Sequence, residues 1–178
     1  MKLKGKCIIR SKVIIRGEYA PIIIGRYVHI GEGCVIRPAV VTVTTNNNDS
    51  SPSITKTAAP STNHNNQDTI SNIIDMPKSI PMTIGSHTNI GKECVIEAAW
   101  IGTNVIIGDG CVISKRAIIK DNCKILSNTI IPPGMVIPPF SVVAGCPGRI
   151  VGELPESVVV DFVNDSLFYF DQFVFKII

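Results

Sequence analysis

Three histidines and six cysteines are the residues of this chain able to do chemistry, and their spacing decides which chemistry stays open. An imidazole takes a proton from an acceptor hydroxyl or amine near neutral pH, or holds Zn²⁺ through a ring nitrogen. His29 and His87 stand in patterned sequence, whereas His64 lies in a low-complexity stretch. Spacing places no carboxylate to orient either imidazole. The cysteines include no CxxC pair, so the usual spacing of a structural zinc site is missing. We therefore expect no catalytic residue, no metal and no cofactor. Arg16, Glu18, Trp100, Lys115 and Arg116 are read instead as candidate contacts with partner proteins.

The elements that must position these residues are written in a six-residue rhythm. From Ile101 an Ile or Val recurs unbroken at Ile107, Ile113, Ile119, Ile125, Ile131, Ile137 and Val143. Leu3, Ile9 and Ile15, then Ile24, Ile30 and Ile36, then Ile84, Ile90 and Ile96 keep the same step upstream. Neither a helix nor a plain strand has this period. A short fixed repeat marks a solenoid, in which each coil buries its apolar residues by stacking on its neighbours. Four residues after each aliphatic comes a mostly small one, such as Val28, Cys34, Thr88, Cys94, Cys111, Ala117 and Cys123. Five cysteines, Cys7 included, thus fall in inward slots and are expected to be free, buried and apolar in role. Only Cys146 stands outside the frame. Gly follows the aliphatic in pairs such as Ile24-Gly25 and Ile84-Gly85, and is expected at corners for its access to positive φ. His29 and His87 fall at turn-side positions, read as solvated polar corners.

The pattern resembles hexapeptide-repeat proteins. That resemblance implies an all-β solenoid, a left-handed parallel β-helix with three hexads to a coil. At about 4.8 Å between strands, five or six coils make a prism roughly 25–30 Å tall.

Composition bounds the rest. The 178 residues amount to one domain, with apolar content enough to fill a continuous core. The net charge of +3 comes from scattered basic residues, which argues against a nucleic-acid partner. The N-terminus MKLKGKC lacks the apolar run of a signal peptide, and no stretch approaches transmembrane length, so neither secretion nor membrane insertion is expected. A cytoplasmic protein follows.

Residues 1–154 are assigned to the β-helix. An Asn/Ser/Thr-rich insert at about 43–81 abandons the hexad frame and is read as a loop thrown out from a corner. Ile96 to Ile101 is a five-residue step, and Trp100 within it is either a local packing plug or a contact anchor. Residues 155–178 are assigned to a C-terminal helix that starts at Pro155-Glu156. Its apolar face (Val158, Val159, Phe162, Val163, Leu167, Phe170, Phe173 and Val174) is expected to pack along or over the prism and protect its open end.

Two stretches go beyond the generic repeat: GKCIIRSKVIIRGEYAPIIIGRYVHIGEGCVIRP, and the tail CKILSNTIIPPGMVIPPFSVVAGCPGRIVGELPE. With IGKECVIEAAWIGTNVIIGDGCVISKRAIIKD between them they resemble the dynactin subunit 5 family, the tail most specifically. The resemblance implies a non-catalytic, cytoskeleton-associated subunit at the pointed end of dynactin, the activator of the dynein motor in microtubule-based transport. Implied partners are a dynactin subunit 6-like β-helix protein, the pointed-end actin-related protein and other dynactin subunits. The chain begins at the GKCII coil, without the family's N-terminal segment, and its insert after Pro38 is longer than the family's loop.

Two enzyme families share this scaffold. In register with γ-class carbonic anhydrases, the three zinc-ligand positions fall at Arg37, Lys92 and Glu97, none of them a histidine. Hexapeptide acyltransferases, which resemble this chain at SVVAGCPGRIVG, use a histidine as general base and work as trimers; His29 and His87 are the candidates. If the chain is a scaffold, lateral packing on a second β-helix through outward residues of Ile84–Ile119 is expected, with Arg16 and Glu18 pairing across an interface as the alternative.

Overall fold

A computed structural model of the chain describes residues 1–41 and 78–175. Each hexad aliphatic anchors a strand of two to four residues, and three strands make one turn of a tube. The first coil holds β1 (Lys2–Leu3), β2 (Ile8–Ile9) and β3 (Ile14–Ile15). The second holds β4 (Ile22–Ile24), β5 (His29–Ile30) and β6 (Val35–Ile36). A short antiparallel arm follows, β7 (Val40–Val41) against β8 (Lys78–Ser79). The third coil holds β9 (Met82–Ile84), β10 (Asn89–Ile90) and β11 (Val95–Ile96), the fourth β12 (Trp100–Ile101), β13 (Ile106–Ile107) and β14 (Val112–Ile113). The fifth holds β15 (Ile118–Ile119), β16 (Lys124–Ile125) and β17 (Ile130–Ile131). β18 (Val136–Ile137), β19 (Ser141–Ala144), β20 (Arg149–Glu153) and α1 (Val158–Phe175) complete the chain.

Stacking in register gives three parallel sheets, one per side of a left-handed β-helix of about six turns. The first face runs β1-β4-β9-β12-β15-β18, the second β2-β5-β10-β13-β16-β19, the third β3-β6-β11-β14-β17. The hexad residues from Ile24 to Val143 point inward and are essentially inaccessible to water. Leu3, Ile9 and Ile15, in the first coil, are more exposed because no coil covers them.

The small slot has a second task besides fitting the corner. Cys34 Sγ donates to Gly91 O at 2.9 Å, Cys94 Sγ to Gly108 O at 3.1 Å, Cys111 Sγ to Leu126 O at 3.1 Å and Cys123 Sγ to Pro138 O at 3.1 Å. Thr88 Oγ1 does the same to Gly102 O at 3.1 Å. Each donor reaches a carbonyl of the next coil, and all of these but Leu126 O, which also accepts from Thr129 Oγ1 at 2.6 Å, would lose their partner beside a purely apolar residue. The cysteines are therefore weak donors as well as small apolar groups. Burial pushes the Cys123 thiol up, away from the reactive thiolate.

The glycines correct an expectation. Positive φ falls three residues after the aliphatic, at Tyr27, Gly33, His87, Glu93, Asn104, Gly110 and their equivalents, and not at the glycine that follows it. Gly31 and Gly85 are required by proximity instead. A Cβ at Gly31 would collide with Gly91 O, and one at Gly85 with Gly102 O, so only glycine lets the coils stack at this spacing.

The helix packs along the prism, one of its two expected places, but does not protect the open end. It begins at Val158, after a turn in which Val158 N–H donates to Pro155 O at 3.1 Å. It lies along a flank and runs back toward the first coil: Ser166 meets His87, Tyr169 stacks on His29, and Phe173 reaches Arg10. Its 18 residues span about 27 Å at 1.5 Å per residue, matching the height of six stacked strands. The C-terminal edge of the second face is covered by β20, antiparallel to β19, and not by the helix. Of the expected helical face, Phe162 is buried and Val158, Val159, Val163, Leu167, Phe170 and Phe173 are half-buried; the Val174 side chain lies outside the described residues. Of the expected insert, residues 43–77, with His64, lie outside them too, while Lys78–Ser79 form the arm.

Candidate functional site

The residue just before each inward aliphatic points outward, and the register decides what each face presents. On the third face Ile14, Val35, Val95, Val112 and Ile130 stack directly over one another. Every rung is aliphatic, Ile14 is 51% exposed and Ile130 37%, and no element of the described chain lies over them. The first face presents Lys2, Ile23, Thr83, Trp100, Ile118 and Val136 in one column. Trp100 is 46% exposed there, on the outside of β12 between Thr83 and Ile118. It is not an inward plug; Ala98 fills the core at the shortened turn.

Two of the charged candidates, Arg16 and Lys115, meet at the corner between the third and first faces. Arg16, Arg37, Glu97 and Lys115 line one groove of about 460 Å³ with Tyr19 and Pro38. Arg37 Nε donates to Glu97 Oε1, an ion pair between coils two and three. Glu18 and Arg116 are exposed nearby in sequence but line no part of this groove. Lys92 sits on a different corner, where Asp109 Oδ1 accepts from its backbone N–H at 2.7 Å. Two of the three positions set against zinc ligands are thus brought together, as a mutually neutralising guanidinium and carboxylate, and the third is apart. A guanidinium and an ammonium repel a metal cation, so the donor set does not fit zinc. Among the described residues no three His, Cys, Asp or Glu side chains form a metal-binding group.

The histidines are not the solvated corners expected. His29 lies on β5, half-buried, its ring stacked on Tyr169 at 5.5 Å between centroids. His29 Nδ1 donates to Asn89 Oδ1 at 2.8 Å, and His29 Nε2 accepts from Arg10 Nε at 3.3 Å. Burial lowers its pKa and the Arg10 cation lowers it further, against the Asn89 bond, which raises it. His87 occupies a positive-φ corner, stacks on Tyr27 at 5.1 Å and donates from Nδ1 to Ser166 Oγ at 2.6 Å. Burial lowers its pKa as well. Both nitrogens of His29 are engaged, and among the described residues no carboxylate orients either ring as it would for an activated general base.

Hydropathy alone flags none of the third-face column, because its members sit singly between buried aliphatics. Counting coils would have found it. The rung before each inward residue on every third strand is Ile or Val.

Residues 71–177 match the family model described as Dynactin subunit 5. Dynactin subunit 5 of Dictyostelium discoideum is 39% identical over 103 residues, which is 58% of this chain and 37% of that protein's length. A protein of Methanocaldococcus jannaschii named "Probable carbonic anhydrase" is 29% identical over 156 residues, 88% of this chain and 74% of its own. A hexapeptide transferase family protein from Anaplasma phagocytophilum superimposes with a TM-score of 0.66 at 13% identity, covering 96% of this chain and 89% of that one; it bears on the fold alone. The family-model match over residues 71–177 places the chain in the dynactin subunit 5 family.

Proposed function

We propose that the protein is a non-catalytic subunit of the dynactin pointed-end complex. It acts as a rigid β-helix scaffold that packs laterally on a second β-helix subunit, contacts the pointed-end actin-related protein, and aids attachment of dynein cargo or adaptors in the cytoplasm. The third-face column Ile14-Val35-Val95-Val112-Ile130 carries this reading, because it offers another flat sheet a preformed apolar surface that needs no ordering on contact. Val95, Trp100, Val112 and Ile118 fall within the 84–119 span, and Trp100 adds an aromatic anchor on the adjoining face. Arg16, Glu18, Lys115 and Arg116 form a charged rim whose part is orientation more than affinity. Among the described residues no helix is long and apolar enough to cross a membrane.

The test is co-expression with a dynactin subunit 6-like β-helix protein followed by size exclusion. We expect co-elution of the native chain, and separation when Val95→Asp and Val112→Asp are combined, with the thermal unfolding of the isolated chain little changed. Undiminished association of that double variant would remove the third face from the interface.

A further inference from the structure

The corner that follows the second face carries a trench. The residues directly after the inward aliphatics of β2, β5, β10, β13 and β16 are Arg10, Gly31, Gly91, Gly108 and Leu126. Register stacks them in that order, so three successive coils bring no side chain to this column. The residues after the glycines, Glu32, Lys92 and Asp109, line one side of the gap with Ser127. Asn89 and Ile106 line the other, with Tyr169 of α1. At about 4.8 Å between strands the gap is roughly 10–15 Å long. Its volume is about 560 Å³, the size of a small-molecule site and far more than a single ion fills.

The hydrogen bonds at its upper end run in one direction, and that direction is forced. A guanidinium only donates, so Arg10 Nε–H requires a lone pair on His29 Nε2, at 3.3 Å. His29 therefore carries its proton on Nδ1 and donates it to Asn89 Oδ1 at 2.8 Å. Asn89 is left with its amide Nδ2, which has no partner among the described residues. Arg10 is held through Nε and by the Phe173 ring, 5.3 Å from its Cζ, and its two terminal amines likewise have no partner among them. Both ends of the relay thus offer donors. Lys92 adds an ammonium without a hydrogen-bond or ion-pair partner there, and Ser127 Oγ, which accepts from Asp109 N–H at 3.2 Å, keeps its own proton to give. The two carboxylates beside the trench already hold internal donors. Glu32 Oε1 takes Lys12 Nζ at 3.1 Å, and Asp109 Oδ1 takes the Lys92 backbone N–H at 2.7 Å.

We propose that this trench is a binding site for a small organic phosphate, its phosphoryl group held by Arg10, Asn89 and Lys92 and its organic part lying over Gly91 and Gly108 toward Ser127. Unpartnered donors call for a ligand group made of acceptors, and two of these donors are cationic, so that group is an anion. A guanidinium fork, an ammonium and an amide together exceed what the two oxygens of a carboxylate can use, whereas a phosphoryl group has three terminal oxygens to share among them. Asn89 and Lys92 belong to one coil, and the His29 contact brings Arg10 to the coil above, which puts all three at the same end of the trench. Farther down, bare glycine backbone and the side chain of Ile106 offer a narrow, largely uncharged bed, with the Ser127 hydroxyl at its far end and the Tyr169 ring beside it. The site lies on the opposite side of a corner from the third-face column and is independent of the scaffold role.

Titration of the full chain with inorganic phosphate and then ribose 5-phosphate, followed by NMR at constant ionic strength and about pH 7.5, tests the site. The His29 ring and Asn89 amide signals are expected to move saturably, with a Kd below about 10 mM for inorganic phosphate and at least about threefold lower for ribose 5-phosphate. Lys92→Gln, which is exposed and outside the helix contact, is expected to weaken binding about tenfold with thermal unfolding unchanged. Arg10→Gln is expected to weaken it at least as much, and Arg16→Gln, in the groove at the other corner, to leave it as it was. No saturable shift below about 10 mM, or equal weakening by Arg16→Gln, would overturn the site. A sugar phosphate bound no more tightly than inorganic phosphate, or less tightly than a phosphoserine peptide, would overturn its assignment to a small organic ligand.

Discussion

The second and third faces of the prism are built from the same hexads and meet opposite fates. The third face shows Ile14, Val35, Val95, Val112 and Ile130, and among the described residues no helix or strand lies over it. The second shows His29, Asn89 and Lys124 among its rungs and carries the helix. If burial of apolar area alone placed α1, it would lie on the third face, where each covered aliphatic contributes about 1.5–3 kcal/mol. Its actual seat is set by ring stacking and hydrogen bonds to His29, His87, Tyr27 and Arg10. The chain therefore seats its own helix on the more polar of the two sides.

That contrast holds only if inward and outward rungs differ in what they support, which can be tested in descending order of effect. Gly31→Val places a side chain against the backbone of Gly91 and is expected to prevent assembly of coils two and three, seen as loss of cooperative thermal unfolding. Ile96→Ala, inside the third face, is expected to cost about 3 kcal/mol in urea unfolding; Val95→Ala, one residue earlier and outside, about 0.5 kcal/mol. An equal loss at both positions would mean that the outer column is a structural element, not a surface held for a partner. Phe162→Ala, at the helix contact, is expected to cost about 2 kcal/mol as local helix release, with proteolysis near residues 158–175 rising before the coils unfold.

Smaller effects sharpen the picture at the corners. Cys94→Ala leaves Gly108 O without its donor and is expected to cost about 1 kcal/mol, whereas Cys94→Ser, which restores a donor, costs less. Arg37→Ala removes a half-exposed ion pair with Glu97, and screening by solvent limits the loss to about 0.5 kcal/mol. A larger loss there would indicate that the Arg37–Glu97 contact is held in place by more than its own attraction.

Much of the fold is legible in the chain because one physical rule repeats: an inward aliphatic every sixth residue and a mostly small residue four places later. The irregular steps are where legibility fails. The nine-residue step from Ile15 to Ile24 and the five-residue step from Ile96 to Ile101 preserve the side of the prism although they break the count, so a face can be assigned only once each turn is seen to close. The role of Gly31 is invisible locally, since its constraint comes from Gly91, sixty residues away in the chain. Periodicity identifies the apolar stripe of α1 but cannot say which of three flat sides receives it. His29 and His87 were thus expected in water when they lie beneath aromatic rings.

The arm of β7 and β8 separates covalent from mechanical continuity. Val41 and Lys78 are direct neighbours, and coils two and three are already joined along all three sides by β4–β9, β5–β10 and β6–β11. A cut between residues 42 and 77 would sever the polypeptide without unzipping any of those seams. Two fragments, 1–41 and 78–178, ought to find each other and rebuild one tube, so that spot suits a new pair of termini, a fluorescent fusion or an affinity handle.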